Sequence, residues 1–180
     1  MSATERVRLV RPGQTYVGKQ GFTYGAGASA ETVGAEHICM NVLPMPPGAR
    51  AKAHYHKGIE TIAYMLEGEC TVYYGDELEH HLAVRTGDQT FIPADVPHAP
   101  CNESGAPCTW IVVHSSGSDQ DGIVLLPELD AALAKRVPLA GLELSAPLLP
   151  QPRPFAETHL RPSHGHGRDR PGHPRLPREK

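Results

Sequence analysis

From about residue 37 to residue 114 the apolar positions of this chain come in short runs, several of which alternate with polar neighbours. A period of two marks a strand, because successive side chains point to opposite faces. Candidate strands run over 37–43, 49–56, 61–66, 70–74, 78–84, 89–92 and 109–114. Pro44, Pro46, Pro47 and Gly48 end the first of them. Gly75-Asp76, Thr86-Gly87-Asp88 and Ser104-Gly105 supply turn chemistry between later ones. Glu67-Gly68, between two apolar runs, reads as a hairpin corner. Short strands at regular spacing predict an all-β sandwich or barrel. One helix is expected, over 127–135. Pro127 and Glu128 open it and Lys135-Arg136 close it, which suits the helix dipole.

Composition changes the picture at the C-terminus. From Ala146 to Lys180 the chain carries eight of its 18 prolines and seven of its 17 Lys and Arg. Proline at that density sustains neither helix nor ladder, and too few apolar residues remain to offset the ordering entropy. Three zones follow: an arm over 1–34 that adds edge strands, a barrel with its helix over 35–145, and a disordered Pro/Arg/His-rich tail over 146–180. A length of 180 residues suits one domain with a real core.

Charge and hydropathy narrow the partners. A formal net charge of -3 gives no reason to expect nucleic acid. No stretch approaches the roughly 20 apolar residues that cross a bilayer, and no signal peptide is visible, so a cytoplasmic protein without a membrane partner is expected. Cys39, Cys70, Cys101 and Cys108 form no C-x-x-C pair and are expected as reduced thiols packed like small hydrophobes.

The candidate chemistry lies in His54-Tyr55-His56-Lys57-Gly58-Ile59-Glu60 and in His98. Histidines at i and i+2 share one face of a strand, with a carboxylate four residues on. Three neutral imidazoles and a carboxylate make a mononuclear site for Fe, Mn, Ni, Cu or Zn. Without an ion, such a cluster in an apolar interior would be poorly satisfied.

These residues carry a resemblance to the cupin superfamily. Gly48, His54, His56, Glu60 and Gly68 fit its first motif, G-x5-H-x-H-x3,4-E-x6-G. Gly87, Pro93, His98 and Asn102 fit its second, G-x5-P-x-G-x2-H-x3-N. Two departures stand out. Seven residues separate Glu60 from Gly68 where the motif has six, which predicts a β-bulge and leaves open which of Ile62, Ala63 and Tyr64 faces inward. Asp95 replaces the second motif's middle glycine, a position where positive φ is expected and Asp is tolerated.

The resemblance implies a double-stranded β-helix, or jelly-roll barrel, with a short C-terminal helix. It implies one divalent transition metal per chain on His54, His56, Glu60 and His98, with Glu60 able to detach and act as catalytic base. Fe(II)-type dioxygenation of a small oxygenated or aromatic compound is the leading expectation. A metal-dependent sugar or carbonyl isomerase and a non-enzymatic small-molecule binding module are the alternatives, since the fold does not choose among them. Cupins commonly dimerise through exposed edges, so a homodimer is expected. Among other residues, His80 and His81 are expected in solvent and His114 as a packed histidine or a partner of the site. Gln89 is a candidate to donate a hydrogen bond to a ligand, and Met40, Tyr64, Met65, Tyr73, Tyr74, Phe91 and Trp110 are expected mostly to fill the barrel.

Overall fold

A computed structural model describes residues 7–138. The segment 146–180, with its expected disorder and its histidines, lies outside the described residues. Eleven strands and two short helices make up the rest: β1 Thr15–Val17, β2 Thr23–Ala28, α1 Ala30–Val33, β3 Cys39–Met45, β4 His54–His56, β5 Thr61–Glu67, β6 Glu69–Tyr74, β7 His80–Arg85, β8 Gln89–Ile92, β9 His98–Cys101, β10 Cys108–His114, β11 Ile123–Leu125 and α2 Pro127–Arg136.

Two antiparallel sheets face each other. One has the order β1-β2-β3-β10-β5-β8 and the other β11-β4-β9-β6-β7. From β3 to β11 the chain crosses from sheet to sheet at nearly every step; only β6 and β7 are consecutive neighbours in one sheet. That alternation is the jelly-roll winding, and the arm over β1 and β2 extends one edge of the larger sheet.

The crossing corrects the hairpin expected at Glu67-Gly68. β5 and β6 lie in different sheets, so Gly68 turns a corner between layers. Its φ is +86°, and a Cβ there would sit 2.7 Å from the Cβ of Cys108, so only glycine fits. The hairpin is the next one, β6 to β7, turned through Gly75 and Leu78.

The core follows from the period of two. In β5, Thr61, Ala63 and Met65 are buried while Ile62, Tyr64 and Leu66 are exposed. Met45, Met65, Val72, Val84 and Trp110 meet between the sheets. Cys70 and Cys108 pack in the same cluster, and all four cysteines are buried free thiols, as expected. Met40, Tyr64 and Phe91, expected inside, lie on the outer face of the larger sheet. Their parity puts them opposite Ala63 and its inward neighbours, and the apolar outer face is wider than a sequence pattern reveals.

A second cluster seals one end, where Leu133 of α2 packs with Ala53, Leu78, Ala99 and Cys101. The helix starts at Pro127 as expected, and Arg136 donates to the carbonyls of Glu77 and Leu78 at 3.0 and 3.1 Å. No helix among the described residues is long and apolar enough to cross a membrane.

Candidate metal centre

β4 and β9 pair through His54 and His98, which brings two residues 44 positions apart face to face. His56 shares the inward face with His54 by strand parity, and all three are buried. One ligating atom from each ring lies within 4.8 Å of the others. The ring centroids of His54 and His98 are 4.3 Å apart and those of His54 and His56 are 5.1 Å apart.

Hydrogen bonds fix two of the rings. His54 Nδ1 lies 2.7 Å from the carbonyl of Lys52, and His98 Nδ1 lies 2.9 Å from that of Val96. A carbonyl only accepts, so each Nδ1 carries the proton and each Nε2 keeps its lone pair. This is how a metal-ligating histidine is oriented. His56 has no such anchor, and its Nδ1 is buried without a partner among the described residues.

Burial also sets the charge. Desolvation pushes His98 down to about 4 and His56 to about 3, with repulsion from neighbouring rings adding to the shift of His56. His54 falls well below its usual value for the same two reasons. All three are neutral near pH 7, the form a metal requires. On donor chemistry and protonation the three residues fit a divalent transition metal, and the rings of His54 and His98 are oriented for one.

Glu60 does not join them. It is exposed, just ahead of β5, and its backbone N–H donates to Ser115 Oγ at 3.0 Å. The inward position belongs to the next residue, Thr61, which is 3% exposed. Six residues separate Thr61 from Gly68 and four separate it from His56, both spacings the first motif allows. Thr61 thus stands where that motif places its carboxylate. A register irregularity is present, but it falls at Leu66, between the pairs Trp110–Met65 and Thr109–Glu67, beyond the site. Ile62 and Tyr64 therefore face outward and Ala63 inward without ambiguity.

A fourth histidine completes the cluster. His114, at the end of β10, lies with its ring centroid 4.6 Å from that of His56. Its Nδ1 is 2.8 Å from Thr61 Oγ1, inside the barrel. Strand parity placed His114 with Trp110 and Val112, both inward, so its position was readable. Its link to Thr61 was hidden by the assignment to Glu60. Asp95 takes φ +63° as expected, and its carboxylate accepts from Gly58 N at 3.1 Å. Asn102 is fully buried, donating to the carbonyls of Met45 and Ala106 and accepting from Ser104, so it ties loops together away from the ligands. His80 and His81 are exposed, as expected. Gln89 is exposed too, and Thr90 beside it lines the site instead.

The three histidines border a cavity of about 50 Å³. Leu43, Ala63, Val72, Ile92, Trp110 and Val112 give it apolar walls. Gln20, Tyr24, Thr61, Thr90 and His114 also line it, and among the described residues no lining residue is Asp, Glu, Lys or Arg.

Residues 41–114 match the family model described as Cupin domain. These residues form a cupin domain. No curated protein matches it. Among solved structures, the protein TT1209 from Thermus thermophilus is 33% identical, over 46% of this cupin and 75% of that chain, with a TM-score of 0.42. An oxalate oxidase in complex with the substrate analogue glycolate is 21% identical, over 71% of this chain and 65% of its own, with a TM-score of 0.54. An oxalate decarboxylase of Lactobacillus farciminis, a formate complex, is 15% identical over 71% and 39%, with a TM-score of 0.54. The cupin described here thus spans about two fifths of that decarboxylase. At these identities the last two likenesses show the fold.

Proposed function

We propose that this cupin binds one divalent transition metal through His54, His56 and His98 and carries out Fe(II)-type dioxygenation of a small oxygenated or aromatic compound. The observation that carries the reading is the trio of neutral imidazoles, two of them oriented by backbone carbonyls, on the wall of an apolar cavity. Three protein donors leave coordination positions open, as catalytic sites do and structural ones do not. When bound, the metal supplies a redox centre and a Lewis acid.

The chain's own residues supply the rest. Leu43, Val72, Ile92 and Trp110 exclude water and confine a compact ligand; the volume admits only a few water-sized groups, which favours a small substrate over a sugar. Thr90 and His114 offer polar contacts that orient it. Glu60 faces solvent, so no proton in the cavity is routed to it. Dioxygenation places both atoms of O2 in the product, so it calls for no added reductant.

Metal analysis of the purified protein, followed by oxygen uptake with a panel of a catechol, a diketone and a sugar, tests this. Iron at one per chain and uptake with one of the first two is the expected result. Turnover of the sugar without oxygen uptake would make the protein an isomerase. Tight binding without any turnover would make it a binding module.

A further inference from the structure

Resting on that metal site, we infer that the cavity takes a small chelating organic anion, a carboxylate or enolate with a second oxygen beside it, and that the Thr61–His114 pair holds it. Charge is the first argument. Three neutral imidazoles leave a divalent ion with its full charge, and Thr61 occupies the place where a carboxylate would cancel part of it. None of the cavity's lining side chains is an acid. The one buried carboxylate among the described residues, Asp119, accepts from the Tyr16 hydroxyl and from Gln120 Nε2 and does not line the cavity. An uncompensated double charge between apolar walls is costly, so the ligand has to bring the negative charge.

Geometry is the second argument. Thr61 Oγ1 and His114 Nδ1 are 2.8 Å apart, and both residues are 3% exposed. In the inferred arrangement the threonine hydroxyl donates to Nδ1, so the remaining ring proton sits on Nε2. His114 then offers a donor from the cavity wall, beside His56, where an oxygen of a metal-bound anion would lie. A donor to an ionised oxygen is worth about twice one to a neutral oxygen, so the pair adds to the preference for an anion. Thr61 is a positioning residue in this arrangement and His114 the one that touches the ligand. The cavity's size limits the ligand to a compact skeleton.

The test uses the full chain loaded with cobalt(II), whose visible spectrum reports ligands entering its coordination sphere. The probes are lactate and lactamide, the same skeleton with and without the charge. Lactate is expected to bind at least about tenfold more tightly than lactamide. Thr61→Glu, which restores a carboxylate, should weaken lactate about tenfold or more while cobalt stays at one per chain. His114→Phe should weaken lactate about tenfold and lactamide by less, again with cobalt retained. The nearly isosteric Thr61→Val, chosen to preserve packing, should weaken lactate in the same direction. Equal affinity of cobalt-loaded protein for the two probes would overturn the inference and leave the metal site standing. Loss of cobalt from His114→Phe would also overturn it, by making His114 a metal ligand. A wild-type chain that takes up no cobalt would overturn the metal site itself.

Discussion

Glu60 and Thr61 are one position apart, the first exposed just ahead of β5 and the second buried at its start. A strand gives its residues to alternate faces, so a shift of one residue exchanges a ligand position for a solvent position. The difference is measurable. Glu60→Ala should leave metal content at the wild-type level, whereas His98→Ala should cost at least about tenfold in metal affinity, both read by elemental analysis after equilibrium dialysis. Protonation gives a second test. In metal-free protein the folded-state values of His54, His56, His98 and His114 lie below the free-histidine value of about 6.5, with burial the largest cause in each case. The unfolded chain therefore binds more protons, and stability rises with pH across this window. It should be fully present above about 6.5 and fall as pH drops toward 4 and then 3, seen as a declining urea midpoint. Bound metal competes with those protons and should move the decline to lower pH.

At the scale of elements, α2 is part of the barrel. Leu133 is fully buried against Leu78, Ala99 and Cys101. Leu133→Ala should cost about 2–5 kcal/mol by denaturant titration, because the site is packed on all sides. The helix and the strands with a clean period of two were legible in the sequence, and so was the meeting of His54, His56 and His98. β9 was not. It reads His98-Ala99-Pro100-Cys101, and proline argues against a strand. Pro100 survives there because it need only accept: its carbonyl takes the N–H of Ala51, and β4 pairs with β9 at His54–His98 alone. The three-residue strands β1, β4 and β11 are too short to show a period, and their pairing comes from neighbours distant in sequence. Thr61 was legible by counting back from Gly68, but a carboxylate one residue away is the stronger chemical signal.

For the whole molecule, the outer face of the larger sheet matters most. Met40 pairs with Val113, Val113 with Ile62, and Ile62 with Phe91, so four apolar side chains cross three strand junctions in one row. Phe91 is 59% exposed and Ile62 is 49% exposed. A contiguous apolar face of this kind is uncommon on a monomer. The homodimer expected from the sequence should use it, and light scattering at micromolar concentration should give twice the chain mass. Ile62→Asp with Phe91→Asp should halve that mass without lowering metal content, since both side chains point away from the cavity.

The winding from sheet to sheet also sets the order of events during folding. β10 must find β3, from which it is separated by most of the barrel, and His98 must find His54 across β5 to β8. Closing such loops is paid for before the contacts return anything, so this topology belongs with slow folders, on the millisecond to second scale. The rings of His54, His56 and His98 come together only when β4 pairs with β9 inside the smaller sheet. An ion therefore has no complete site to grip in the early chain. Adding metal should leave the refolding rate unchanged and slow unfolding alone.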